Sequence, residues 1–298
     1  MPAQTRVHPD RVRSLRAGEV APGPVVYWMR RDQRVQDNWA LLHAQDLALA
    51  NQQPLAVAFC LVPEFLGAAR RQFAFMLDGL EQVARDLAEL RIPFLLVTGD
   101  PGREIPALVA RTQAGVLVTD VNPLRISRAW ERDVADAVTV PVHLVDAHNV
   151  VPVWRASDKQ EYAARTIRPK IQRLLPTFLT DLPRLDRHPV AWAAAAPAPD
   201  WSSARRGLVA GDHGAPVDWL VPGEAAAHAA LASFVQGRLR GYDSARNDPT
   251  VPGQSDLSPY FHFGQLAPQR AAHAVAQTSG DADRDAYLEE LVVRRELS

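Results

Sequence analysis

The sequence predicts an α/β protein: a parallel sheet covered by helices on both faces, followed by an all-helical region. Five short apolar runs rich in β-branched residues, at 25–29, 55–62, 93–98, 116–119 and 142–146, read as strands buried on both sides. Helical patterns lie between them, as the crossovers between parallel strands require. After residue 223 the strand signals stop and the periodic stretches are helical.

In chain order, residues 1–23 carry basic side chains but no signal-peptide apolar core, and read as a loose leader. The first strand is broken by Arg30, Arg31, Asp32, Gln33 and Arg34. Asp37 and Asn38 suit the cap of a helix carrying Trp39, Leu41, Leu42 and Leu47. Pro63 ends the second strand. Residues 72–91 have the clearest helical period, with Phe73, Leu77, Leu80, Ala84, Leu87 and Leu90 in one stripe. The third strand is closed by Gly99, Asp100, Pro101 and Gly102; a helix at 104–112 and a partly helical stretch at 125–137 flank the fourth. The α/β domain is set at 24–150. It has no G-x-G-x-x-G and no P-loop. Arg30, Arg31 and Arg34 fall at the carboxyl end of the first strand, where open α/β sheets bind ligands. Two readings stand for them: a site for an anionic cofactor, or a solvated loop pairing with Asp32 and Asp37.

Residues 151–223 read as hinge and linker. The basic stripe Arg165, Arg168, Lys170 and Arg173 suits a phosphate backbone or a cover over the domain joint. Pro176, Pro183, Pro189, Pro197, Pro199, Pro216 and Pro222 give the rest linker composition, while Trp192, Trp201 and Trp219 imply that it packs on a surface. The helical domain is set at 224–298, with helices at 224–239, from Pro268 through Ala276, and at 285–297. The last helix stops at Ser298 with no cap, Gly or Pro, so the reading is a C-terminal truncation.

The stretch 242–265 is polar and turn-rich and ends at a helix start. Ser258 is the predicted N-cap, Pro259 the first helical position and Gly264 the left-handed stop. A helix start fronted by small hydroxyls is an anion site, and Tyr242, Tyr260, Phe261 and Phe263 add flat rings. A plain capped helix in a core is the other reading.

Composition narrows the classes. Hydrophobic content of 47% and charged content of 22% mark an ordinary globular chain, and its 298 residues allow a sizeable core. Net charge is −1, so any nucleic-acid contact rests on a local patch. The lone Cys60 permits no internal disulfide and points to a reducing cytoplasm. No apolar run reaches the length of a bilayer span.

Four stretches in this order resemble one family. They are Val26-Tyr-Trp-Met-Arg-Arg-Asp-Gln-Arg34 with Asp37-Asn-Trp-Ala-Leu41; Asp146-Ala-His-Asn149 with Ala156-Ser-Asp-Lys159 and Ala164-Arg-Thr-Ile-Arg-Pro-Lys170; 242–265 with Leu257-Ser-Pro-Tyr-Phe-His-Phe-Gly-Gln265; and Tyr287-Leu-Glu-Glu-Leu-Val-Val-Arg-Arg-Glu-Leu-Ser298. Together they are similar to class II cyclobutane pyrimidine dimer photolyases of the photolyase/cryptochrome superfamily, over roughly 25–298.

The resemblance implies a Rossmann-like parallel α/β domain that seats a second, antenna chromophore of open identity, and an all-helical domain that holds FAD and takes DNA containing pyrimidine dimers. It implies light-driven splitting of the flipped-out dimer by an electron from excited reduced FAD. It places Tyr242, Ser255, Asp256, Leu257 and Ser258 against FAD, Arg246 and Arg294 on the DNA side, and Glu290 against the dimer, where the bland reading is a carboxylate paired with Arg294 at i+4. No metal and no membrane is expected; a monomer is, in the cytoplasm, nucleoid-associated in a prokaryote. The family continues past residue 298, so the helical domain reads as incomplete. A cryptochrome-like photoreceptor without repair, and a fragment in which only the α/β domain functions, are the alternatives.

Overall fold

Parallel strands form where the sequence is predominantly apolar. The computed structural model describes residues 5–192, 196–209, 211, 215 and 217–297. Pro216, Ser298 and residues 1–4, on which parts of the linker, truncation and leader expectations fall, lie outside them. In chain order the first elements are β1 (Val12–Arg16), β2 (Val25–Met29), α1 (Trp39–Ala50), β3 (Leu55–Leu61), α2 (Arg70–Glu89), β4 (Phe94–Thr98), α3 (Pro101–Thr112), β5 (Val116–Asp120), α4 (Arg125–Ala137) and β6 (Val142–Val145). Next come α5 (Val153–Ala156), α6 (Ala164–Phe178), α7 (Trp201–Arg206) and α8 (Glu224–Ser233). The last are α9 (Tyr242–Ala245), α10 (Ser258–His262), α11 (Pro268–Ala276) and α12 (Ala282–Leu288).

The chain divides into two compact units, Met1–Ala147 with Arg184–Gly223, and His148–Pro183 with Glu224–Ser298. This departs from the expected boundaries. The stretch 151–223 is not one linker: its first part belongs to the helical unit and its last part to the α/β unit. The reason is visible in its contacts. Trp201 stacks on Phe94 at 5.8 Å, Arg205 pairs with Asp78 and Glu81 of α2, and His188 donates its backbone N–H to Leu90 while its ring nitrogen sits 2.9 Å from the Gln53 carbonyl. Trp192 also packs on the core, whereas Trp219 remains exposed.

In the α/β unit six strands run in the order β1-β6-β5-β2-β3-β4. Five are parallel; β1 pairs antiparallel with β6, Val12 opposite Val145. Residues 5–23 of the leader are therefore not loose. Beyond β1, Arg6 pairs with Asp46, and buried Arg11 stacks over Trp39 and donates to the Asp146 carbonyl. One face of the sheet presents Val26, Trp28, Ala56, Ala58 and Leu117 to Ile105, Leu108 and Val109 of α3 and Val134 of α4. On the other, α1 is capped by the Asn38 side chain, which accepts from the Ala40 and Leu41 N–H groups. Cys60 is buried and its thiol is pushed up to about 12, first by desolvation, which keeps it protonated.

The helical unit holds α5, α6 and α8 to α12. Its sequence-predicted helix at 224–239 is interrupted: α8 passes into a π-helical turn, Phe234–Arg238, in which Leu239 N–H reaches back five residues to Phe234 O at 2.8 Å. The last helix begins at Ala282, capped by Asp281, and passes into a second π-helical stretch at Glu289–Arg294. Buried Phe234, Leu291, Val292 and Val293 show that both turns face the core.

A histidine pair joins α1 to β6, His43 Nε2 standing 2.9 Å from His143 Nδ1. Burial, then the neighbouring ring, brings His43 down to about 3 from 6.5. Below pH 6.5 the unfolded side chain binds a proton that the folded one refuses, so acidification removes stability, about 2 kcal/mol by pH 5. Asp120 acts in the opposite sense, because burial pushes its carboxyl up to about 6. The His43 contribution is isolated by comparison: His43→Gln should lose less stability than the parent between pH 7 and pH 5 in urea unfolding. Parallel losses in the two proteins would refute it.

Candidate functional site

The site lies in the helical unit and is assembled from four sequence segments. Tyr242 of α9 is buried in an aromatic cluster, with ring centroids 5.8 Å from Phe234 and 5.2 Å from Tyr287; Phe234 and Tyr287 stand 4.8 Å apart. Burial raises the Tyr242 and Tyr287 phenols above their ordinary range. The Tyr287 hydroxyl is buried, and its polar neighbour is the Ser255 side chain, at less than full hydrogen-bond geometry. Such an atom is costly unless something else meets it.

Charged residues border this cluster. Arg246 lies 6.0 Å over the Tyr242 ring, and its Nη1 donates to Glu290 Oε1 at 2.8 Å. Arg294 Nε is 3.2 Å from the same oxygen. The i,i+4 pairing of the bland reading therefore forms, but together with a pair to Arg246, 44 residues away. Next to it, Arg168 of α6 grips Glu289 with two hydrogen bonds, 3.0 and 2.6 Å. That grip holds the Glu289 carboxyl below its usual range and fastens the π-helical stretch to α6. On α6 itself, Lys170 bonds Ser157 and Glu161, and the Glu161 carboxyl drops to about 2, first through its hydrogen bond with Lys170.

The loop 253–257 is shaped from behind. Arg238, in the first π turn, donates to the Gln254 and Ser255 carbonyls and pairs with the Asp256 carboxylate. Asp256 has φ of +59°, a left-handed backbone that a short polar side chain tolerates. Gly253 runs so close to α9 that a Cβ there would meet Ala245 O at 2.5 Å. Gln254 donates to Arg246 O at 2.5 Å, and Asp283 accepts the Gly241 and Asp243 N–H groups, 2.8 Å each. The loop, α9 and α12 are thus tied together through polar contacts.

The helix start differs from expectation. Leu257, with helical φ and ψ, occupies the cap position; Ser258 is already the first helical residue and makes no capping bond. Ser258 cannot reach back to cap a turn that it belongs to. At the other end Gly264, φ +65°, closes α10 as expected: Gln265 N–H bonds Tyr260 O and Gly264 N–H bonds Phe261 O. Of the expected cofactor residues, Tyr242 and Leu257 are buried, Ser255 is half-buried, and Asp256 and Ser258 are exposed. Asp256 offers its backbone, since Arg238 takes its carboxylate. Arg246, Glu290 and Arg294 come together. Sequence reasoning missed Arg238, Asp283 and the Arg168–Glu289 pair, whose partners are 18 to 121 residues apart. Only Arg168 carried a signal, its place in the basic stripe.

The arginines after β2 do not form an open anion site in the α/β unit. Strand order reverses between β2 and β5, the usual place for a ligand. There the buried Asp120 carboxylate accepts from Arg30 N, Arg31 N and Tyr27 OH, each at 2.8 Å. The Arg30 guanidinium pairs with Glu131 and Arg34 with Asp32, both at 2.6 Å. Arg34 does pair with Asp32, as the pairing reading expects, and its guanidinium also donates to the Asp37 carbonyl, but the loop is not solvated: Asp32, Arg34 and Asp37 are all buried. Among the described residues no cluster could hold a metal ion, and no helix is long and apolar enough to cross a membrane.

Known proteins match the chain along most of its length. A family model described as DNA photolyase matches residues 25–189. A protein named deoxyribodipyrimidine photo-lyase from Potorous tridactylus is 48% identical over 92% of this chain and 52% of its own length. One of the same name from Arabidopsis thaliana is 44% identical over 100% of this chain and 64% of its own. The chain thus spans about half to two thirds of these relatives. A bacterial class III photolyase structure from Agrobacterium tumefaciens superposes with a TM-score of 0.70 at 20% identity, over 94% of this chain and 59% of that one.

Arg238 generates a prediction of its own. Arg238→Ala should quicken amide exchange across 254–257 by about three- to tenfold, the loss of one or two net hydrogen bonds' worth of local stability. Hydrogen exchange followed by mass spectrometry checks this; an unchanged rate would mean that the loop holds itself.

Proposed function

The chain belongs to the DNA photolyase family, and from that premise we propose light-driven repair of DNA by splitting of cyclobutane pyrimidine dimers, within class II of the family. One observation carries the reading to this site. Tyr242, Arg246 and Glu290, expected separately to face cofactor, DNA and dimer, form one side-chain cluster, with Arg246 touching both of the others. The names of the relatives at 44–48% identity support the activity.

FAD fits the residues present. The loop 253–257 offers the Ser255 hydroxyl and backbone groups, Ser258 a further hydroxyl, and Arg238 neutralises Asp256, so no unpaired carboxylate opposes a diphosphate. The Tyr287 hydroxyl, beside Tyr242 and the Ser255 side chain, supplies a further polar atom. When bound in reduced form and excited, FAD supplies the electron that the dimer takes up and returns. Tyr242, Ser255, Asp256, Leu257 and Ser258 hold it. Glu290 meets the imide edge of the flipped dimer and orients it, while Arg246 and Arg294 stand at the DNA rim. The α/β unit seats a second, antenna chromophore; Arg30 and Arg34, being paired internally, do not bind its charge. With Cys60 alone and no internal disulfide available, the reading places the protein in a reducing cytoplasm.

The test is a preparation of this chain that retains flavin, mixed with an oligonucleotide carrying one thymine dimer. Blue light should restore the undamaged sequence and darkness should not. Flavin retention with no light-dependent repair would overturn the proposal in favour of a photoreceptor. Glu290→Ala should lower repair yield more than lesion affinity; unchanged repair would remove Glu290 from the chemistry.

A further inference from the structure

One oxygen of Glu290 holds two arginines. Arg246 Nη1 is 2.8 Å and Arg294 Nε 3.2 Å from Oε1. The neighbouring carboxylates share these arginines only at longer range. Glu289 is gripped by Arg168 and stands 3.8 Å from Arg294; Asp243, half exposed, is 3.5 Å from Arg246. Three guanidinium groups thus meet two glutamates, and Glu290 is the nearest counter-ion of both Arg246 and Arg294.

Arginines at a DNA-facing rim bind phosphates of any sequence, damaged or intact. Undamaged sites vastly outnumber lesions, so such affinity works against finding one. The Glu290 pairs are partly exposed, the side chains of Glu290, Arg246 and Arg294 being 38, 21 and 55% accessible, and pairs of that kind exchange readily.

Resting on the repair reading, we propose that Glu290 also determines specificity. Without a dimer it keeps Arg246 and Arg294 from the phosphate backbone; when a flipped dimer engages Glu290, both arginines are released onto the phosphates beside the lesion. Lesion recognition and phosphate clamping are coupled through one carboxylate, and intact DNA, which offers Glu290 no partner, gains no clamp.

The experiment is binding of the chain in the dark to an intact duplex and to the same duplex with one thymine dimer, between 50 and 200 mM salt. The parent should prefer the dimer. Glu290→Gln keeps the shape and removes the charge. It should bind intact DNA more tightly at low salt and narrow the preference. Its affinity for intact DNA should fall about 3- to 12-fold further than the parent's over that salt range, as one or two added phosphate contacts require. Arg246→Ala or Arg294→Ala placed on Glu290→Gln should each cancel part of that gain. If the parent prefers the dimer but Glu290→Gln binds intact DNA with unchanged affinity and salt slope, the specificity role is overturned and the repair reading stands. If the parent shows no preference for the dimer, both are overturned.

Discussion

A carboxylate withdrawn from water must be met by donors, and this constraint organises both units. Asp120 is fully buried at the reversal point of the sheet. Its oxygens are met by two consecutive backbone N–H groups after β2 and by the Tyr27 hydroxyl. Those bonds fasten the end of β5 to the turn that leaves β2, between the two strands on which the sheet order pivots. Burial raises the Asp120 carboxyl to about 6 despite these donors, so desolvation outweighs the hydrogen bonds that oppose it. The anion position that other α/β sheets keep for a ligand is filled here from within.

The helical unit repeats the device nearer to solvent. Asp256 draws in Arg238, Asp283 draws in the start of α9, Glu289 draws in α6, and Glu290 draws in Arg246 and Arg294. Each exposed pair contributes little stability by itself. Their effect is positional, because each joins segments far apart in sequence around Tyr242 and Tyr287. Two π-helical turns serve the same end. An extra residue in the turn rotates the helical residues after it, and the turns carry Arg238 and Glu290, one residue from each side of the site.

Much of the fold was legible in the sequence, and the failures have definite causes. The five parallel strands were found because strands buried on both faces leave continuous apolar runs. Edge strand β1, Val-Arg-Ser-Leu-Arg, was missed because a half-solvated strand at a sheet edge needs no such run. Helix α6 was read as hinge because Pro169 and Pro176 fall inside it; buried Ile167, Ile171 and Phe178, four and seven residues apart, were the overlooked stripe. The Pro-rich stretch read as linker because extended segments that pack by single tryptophans and backbone bonds leave no period to detect.

At the candidate site, sequence alone determined the residue types and their order: the Tyr242 to Arg246 turn, the loop into α10, the Gly264 stop and the paired glutamates before Arg294. These are local matters of backbone freedom and side-chain chemistry. Only the tertiary structure decided which charges neutralise which. Arg238 lies 18 residues from Asp256, Arg246 lies 44 from Glu290, and Arg168 lies 121 from Glu289. No periodicity links such partners. The reach of a guanidinium across packed helices does, and that reach exists only once Phe234, Tyr242 and Tyr287 have closed the core beneath them.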